Sequence, residues 1–192
     1  MVTAVLVCTS CGIPQDVQTR QDTASAVSSA SGSAPETTSA LITLGEFNAD
    51  NDEFELFNPC TEISREVYEA VGFVEAFGEP YYDPGGSVSC NFKSGNPLHS
   101  NGFFMVTADK VPYQRIVERG LLLDASPVSH VPGVYTHHMG GEDANSCTSA
   151  VHTTQGRLTV LFKDRGRTDQ RDELCEIAIE YLGNIHHETG GV

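Results

Sequence analysis

Ser146-Cys147-Thr148-Ser149-Ala150-Val151-His152 and Arg157-Leu158-Thr159-Val160-Leu161-Phe162 are β-prone runs joined through Gln155-Gly156. A short glycine-bearing link between two such runs predicts a hairpin. The chain then changes period. Thr168 is suited to cap a helix and Asp169 to sit in its first turn; Leu174, Ala178, Tyr181, Leu182 and Ile185 then recur at helical spacing. An apolar helical stripe has to be buried against something, and the preceding strands supply the surface. The fold class predicted is therefore α+β, an antiparallel sheet covered on one face by helices, with a long C-terminal helix.

Reading outward from there, Gly133-Val134-Tyr135-Thr136-His137 predicts another strand, and Tyr113 to Arg119 a short helix stopped by Gly120. Phe103-Phe104-Met105-Val106-Thr107 and Ser87-Val88-Ser89-Cys90-Asn91-Phe92 are two more strands; the second alternates strictly, with Val88, Cys90 and Phe92 on one face. Ser64 caps a helix from Arg65 to Val71, with Glu66 in its first turn, Gly72 as its stop and Ile63 placed to staple onto Tyr68. The folded domain is expected to span 41–192.

The first forty residues have a different character. Residues 15–40 hold no aromatic residue and only Val17 and Val27 as branched apolar side chains. Such a segment cannot bury enough surface to offset its ordering entropy, so 12–40 reads as a Ser/Thr/Ala-rich disordered tether. Before it, Val5-Leu6-Val7-Cys8-Thr9-Ser10-Cys11-Gly12 resembles the lipobox of bacterial lipoproteins, in which the cysteine becomes the acylated first mature residue. Cys11 is the better match and Cys8 the alternative. The first basic residue is Arg20, beyond the cysteine, so residues 1–11 are expected to be a truncated signal whose basic segment lies upstream of Met1, the alternative being a buried first strand.

Composition narrows the partners. The formal net charge is −15, which repels phosphate backbones and excludes nucleic acid as the expected ligand. No run of about 20 apolar residues spans a bilayer, so contact with the membrane is expected through the lipid anchor. The domain cysteines Cys60, Cys90, Cys147 and Cys175 lack Cys-x-x-Cys spacing, so they read as disulfides of an oxidising compartment, not as a zinc knuckle.

The order of Asn58-Pro59-Cys60, a short helix ending near Gly72, strands carrying Cys90 and Cys147, a Gly-Arg-Leu-Thr-Val strand from Gly156 and the Asp172-Glu173-Leu174-Cys175 helix resembles the actinobacterial lipoproteins with domain of unknown function 3558. The resemblance covers about residues 56–186; Asn91-Phe92 departs from it, since an aromatic such as Trp is often near that cysteine. It implies export, lipidation and two disulfides, and it carries no catalytic residues. Four cysteines allow three connectivities. The expected one is Cys60 with Cys175, fastening the start of the domain to its last helix, and Cys90 with Cys147, tying two strands of the sheet; the resemblance suggests the same.

No catalytic residue is assigned. Gly-x-Ser-x-Gly is absent, and Pro84-Gly85-Gly86 and Gly140-Gly141 lie between strands, where they are turns and not phosphate cradles. His137, His138 and His152 are weak metal candidates without ligand spacing; adjacent strand residues face opposite ways, so at most one of the first two can join His152. Glu142 and Asp143 lie in a nearby loop, and His186 and His187 end the last helix. No cofactor is expected. Two function classes follow. One is a non-catalytic cell-envelope module, on the extracytoplasmic face, that binds a lipid, glycan, peptide or protein; the other is an envelope hydrolase with a site assembled from distant residues. A smooth apolar groove between helix and sheet favours the first, and a pocket of convergent groups with displaced pKa values favours the second.

Overall fold

In chain order the helices and strands are α1 (Pro59–Glu62), α2 (Arg65–Ala70), β1 (Phe73–Ala76), β2 (Tyr81–Tyr82), β3 (Val88–Ser94), β4 (Gly102–Asp109), α3 (Tyr113–Glu118), β5 (Leu122–Asp124), β6 (Tyr135–His137), β7 (Ser146–Thr153), β8 (Gly156–Asp164) and α4 (Arg171–Glu188). These belong to a computed structural model that describes residues 41–48, 50–51, 53–140, 144–167 and 170–191. Cys8, Cys11 and the 12–40 tether lie outside the described residues, as do Gly141, Glu142, Asp143, Thr168 and Asp169. The strands form one antiparallel sheet in the order β1-β3-β4-β8-β7-β6-β5, with β2 paired to β3 beside that path.

The β7–β8 hairpin is the middle of the sheet. Thr153 pairs with Gly156, so its turn residues are Thr154 and Gln155, one position earlier than Gln155-Gly156. The Thr153 hydroxyl donates to the Gly156 carbonyl at 2.8 Å. Gly156 has φ 114°, and a Cβ there would come within 2.9 Å of the Asp109 carbonyl oxygen. Glycine is the residue that fits both demands.

Strand alternation sorts the side chains into two faces. Phe92, Phe104, Val106, Val151, Leu158, Val160 and Phe162 are buried on one face. Over them lies α4, whose expected stripe of Leu174, Ala178, Tyr181, Leu182 and Ile185 is buried throughout, joined by Ile177. Each such side chain taken fully out of water contributes about 1.5–3 kcal/mol before the entropy cost. Phe104 sits at the centre, 4.1 Å ring-to-ring from Tyr181 and 4.6 Å from Phe162. The Ser149 hydroxyl is buried in this layer and donates to the Ala178 carbonyl at 2.7 Å, which fixes α4 lengthwise on β7.

At the other end of the same layer, Ser64 Oγ accepts from the Val67 N–H, the cap expected for α2, and Ile63 and Tyr68 are both buried in the main core. α1 is a further short helix, capped by Asn58, whose Oδ1 accepts from the Cys60 N–H at 3.0 Å. Burial pushes the Tyr68 phenol pKa up, and its hydroxyl donates to the Pro59 carbonyl at 2.7 Å.

The disulfides correct the expected pairing. The bridges are Cys60–Cys90 and Cys147–Cys175, with Cα atoms 5.6 and 5.0 Å apart. Cys60–Cys175 and Cys90–Cys147 are ruled out by the strand order. β4 and β8 stand between β3 and β7, so Cys90 and Cys147 are three strand spacings apart, about 14 Å, while a bridge needs about 4.4–6.8 Å. Both strand cysteines point to the helical face. Each meets the cysteine of the helix directly above it, α1 over β3 and α4 over β7.

Candidate functional site

A cleft of about 880 Å³ opens along α4, between the helix and the chain that leads from β5 to β6. Residues four apart share a row on a helix. Beside the buried stripe, Cys175, Ile179 and Gly183 form a half-buried row that is the cleft floor. Outside it, Asp172, Glu176 and Glu180 form an exposed row of carboxylates. Among the described residues none of the three is ion-paired. Gly183 interrupts a helix at a cost of about 1 kcal/mol relative to alanine, and its missing side chain keeps the floor open; the nearest heavy atom to a Cβ there would be Val131 Cγ2 at 4.0 Å.

The facing wall is a loop shaped by local bonds. Asp124 Oδ1 accepts from the Ser126 N–H at 2.9 Å, and Ser129 Oγ accepts from the Val131 N–H at 3.1 Å. Val131 and Val134 are buried in the core and anchor the loop's far end. Beside the cleft, Leu123 of β5 is 38 % exposed and Val128 of the loop is fully exposed. A fully solvated valine against an apolar floor is surface that gains by being covered.

The opposite face of the sheet carries a closed polar cluster. Asp109 and Arg157 pair directly across β4 and β8. The guanidinium donates to both carboxylate oxygens, Nε to Oδ1 at 2.9 Å and Nη2 to Oδ2 at 2.6 Å. Nη1 reaches the Tyr135 hydroxyl at 3.5 Å and His137 Nε2 at 3.4 Å. His137 Nδ1 lies 3.2 Å from the His138 carbonyl, the arrangement of a neutral ring that donates there and accepts from Arg157. Burial first, and the Arg157 charge second, push the His137 pKa down to about 4. Burial raises the Tyr135 phenol, against the pull of Arg157. For Arg157 burial works downward, but the Asp109 hydrogen bonds and charge outweigh it and hold the group above its ordinary value.

His137 and His152 do face the same side, but the Tyr135 ring stands between them, 6.0 Å from His137 and 6.1 Å from His152. His152 Nδ1 is 3.6 Å from Glu46 Oε2, and its ring is edge-on to Phe47 at 5.3 Å. His138 turns elsewhere and accepts from the Gly140 N–H at 3.1 Å. Among the described residues no group of three His, Cys, Asp or Glu side chains is placed to hold a metal ion. The cation already beside His137 is Arg157. Of the terminal pair, His186 is buried and burial lowers its pKa, while exposed His187 lies at the end of the cleft.

Residues 6–186 match the family model described as "Protein of unknown function (DUF3558)". The chain belongs to the DUF3558 family. The match takes in both disulfides, the polar cluster and all of the cleft but His187, and it begins far enough upstream to include Cys8 and Cys11. Neither the curated proteins nor the solved structures contain a significant match. In this DUF3558 domain the cleft has one sequence signal, the Asp172/Glu176/Glu180 spacing, which reads as a solvated face until the Val128 loop is seen opposite it. The Asp109–Arg157 pair has none, because it depends on β4 and β8 being neighbours.

Proposed function

We propose that this DUF3558 chain is an exported actinobacterial lipoprotein of the cell membrane's extracytoplasmic face. Its acylated residue is Cys11, with Cys8 the alternative, and residues 12–40 tether a non-catalytic domain that binds an envelope lipid, glycan or protein. The α4 cleft is the binding surface. The observation that carries the binding reading is the separation of open surface from displaced protonation. Tyr135, His137 and Arg157 are buried on the far face of the sheet, whereas the cleft offers an apolar floor and exposed aliphatic side chains. A hydrolase site assembled from distant residues calls for those shifted groups to converge on an accessible pocket, and here they do not. The N-terminal pattern supports the anchor: paired cysteines follow an apolar run and precede a polar Ser/Thr/Ala stretch. Among the described residues no helix is long and apolar enough to cross a membrane.

Expression of the full open reading frame with Cys11→Ala, Cys8→Ala and both changes, followed by membrane fractionation and labelling with a palmitate analogue, tests the anchor. Cys11→Ala is expected to lose label and release the protein. Unchanged labelling and retention in the double variant would remove the anchor from this account. For the domain, native purification from membranes with mass spectrometry of bound molecules is expected to find a ligand that Gly183→Leu, which fills the cleft floor, no longer retains.

A further inference from the structure

The cleft's dimensions constrain its occupant more narrowly than its apolar character does. Its helical side runs from Arg171 to His187, sixteen steps of about 1.5 Å, or roughly 24 Å. That is the length of about seven extended residues at about 3.3 Å each, and long for a compact small molecule. The carboxylates of Asp172, Glu176 and Glu180 repeat every four residues, about 6 Å along the axis. Alternate side chains of an extended peptide repeat at about 6.6 Å. The two periods match over a short span. Like charges four apart repel and weaken the helix by a few tenths of a kcal/mol per pair, and no described cation neutralises them. Arg171 stands at the start of the row, and His187 lies beyond its end, 3.4 Å from Glu188. The middle of the cleft is therefore anionic on its rim and aliphatic on its floor.

Resting on the reading of this cleft as the binding surface, we propose that it receives an extended segment of a partner protein in which basic and apolar residues alternate. The basic side chains lie along the Asp172/Glu176/Glu180 row, and the apolar ones lie between Ile179 and Val128. Net charge favours this choice over an anionic lipid surface, which a chain of charge −15 repels. Each element is already in place: the charge period, the exposed valine and the glycine of the cleft floor.

The probe is a fluorescein-labelled Lys-Leu-Lys-Leu-Lys-Leu-Lys peptide, with Glu-Leu-Glu-Leu-Glu-Leu-Glu as its counterpart, titrated with the whole chain and read by anisotropy at low and physiological salt. Saturable binding of the basic peptide alone is expected. The double variant Glu176→Lys/Glu180→Lys should weaken it about tenfold or more and flatten its salt dependence. Glu79→Lys/Glu118→Lys, equal in charge but exposed outside the cleft, should leave it within about twofold. Equal losses in the two double variants would mean attraction to net charge only and would overturn the proposal, as would absence of saturable binding. A neutral apolar dye, Nile red, separates the two levels of failure. Dye binding that Gly183→Leu abolishes, without peptide binding, overturns the basic segment and leaves the cleft reading standing. If neither probe binds, the cleft reading falls with it.

Discussion

The two faces of the sheet gather charge in opposite ways. On one, Asp109, Arg157, Tyr135 and His137 are buried and hydrogen-bonded through the Arg157 guanidinium, and the pKa values of Arg157, Tyr135 and His137 are displaced. On the other, Asp172, Glu176 and Glu180 stand exposed along an apolar cleft, with no ion-pair partner among the described residues. Displaced pKa values often mark functional sites because burial and charge partners displace them. Here those same causes belong to a closed cluster that staples β4, β8 and β6 together and presents nothing to a ligand. The open row has no ion-pair partner among the described residues, and on the proposed reading its counter-charges come from a ligand.

The largest effect that could break this contrast is at Asp109. Asp109→Ala leaves the Arg157 guanidinium buried without its counter-ion, and the expected loss is about 3–5 kcal/mol in denaturant unfolding. Once corrected for the folded fraction, binding at the cleft should be unchanged; weaker binding by folded protein would tie the cluster to function. The second effect is at the cleft's own bridge. Cys147–Cys175 closes a loop of sequence separation 28, for which the chain-entropy model gives about 3.5 kcal/mol. The double change Cys147→Ala/Cys175→Ala should cost on that order and should alter the cleft floor, since Cys175 is part of it. Full stability in the double variant would contradict the structural role given to the bridge.

Next comes pH. The His137 pKa is near 4 when folded and about 6.5 when unfolded. The folded-state value is depressed, so the unfolded chain takes up the proton first as pH falls. Stability is complete above about pH 6.5, declines towards pH 4, and is then lower by about 3 kcal/mol from this group alone. His137→Gln should remove that slope; an unchanged pH profile in the variant would show that the ring is not held neutral by its burial and the Arg157 charge. The smallest effect lies in the cleft. Gly183→Ala fits, its Cβ 4.0 Å from the nearest atom, and should stabilise α4 by up to about 1 kcal/mol, while Gly183→Leu should leave melting nearly unchanged and block the floor. A large destabilisation by Gly183→Ala would make this glycine a structural requirement instead of an opening.

Most of the architecture was legible because its largest pieces are strongly periodic. The β7–β8 runs, the α4 stripe, the α2 cap at Ser64 and the alternation through Cys90 and Phe92 each fixed an element and a buried face. β1, β2 and β5 left no such trace. β1 buries only Phe73 of its four residues, and all three are short strands held by pairing with β3 or β6. The disulfide pairing failed for a related reason. Alternation assigned Cys90 and Cys147 to a face correctly, but no local pattern says that β8 inserts beside β4 and leaves two strands between them. The cleft needed the same long-range knowledge, because its carboxylate row and its valine wall come from opposite ends of the β5-to-α4 segment.

The central claim is that the α4 cleft, and not the polar face, is where another molecule docks. A photo-crosslinking residue placed at Val128, in the cleft, can be compared in intact cells with one at Leu98, which is 74 % exposed outside it. Discrete adducts from position 128, absent from position 98 and lost when Glu176→Lys/Glu180→Lys is added, are the predicted result. Adducts of equal yield from both positions, or from position 98 alone, would contradict the account.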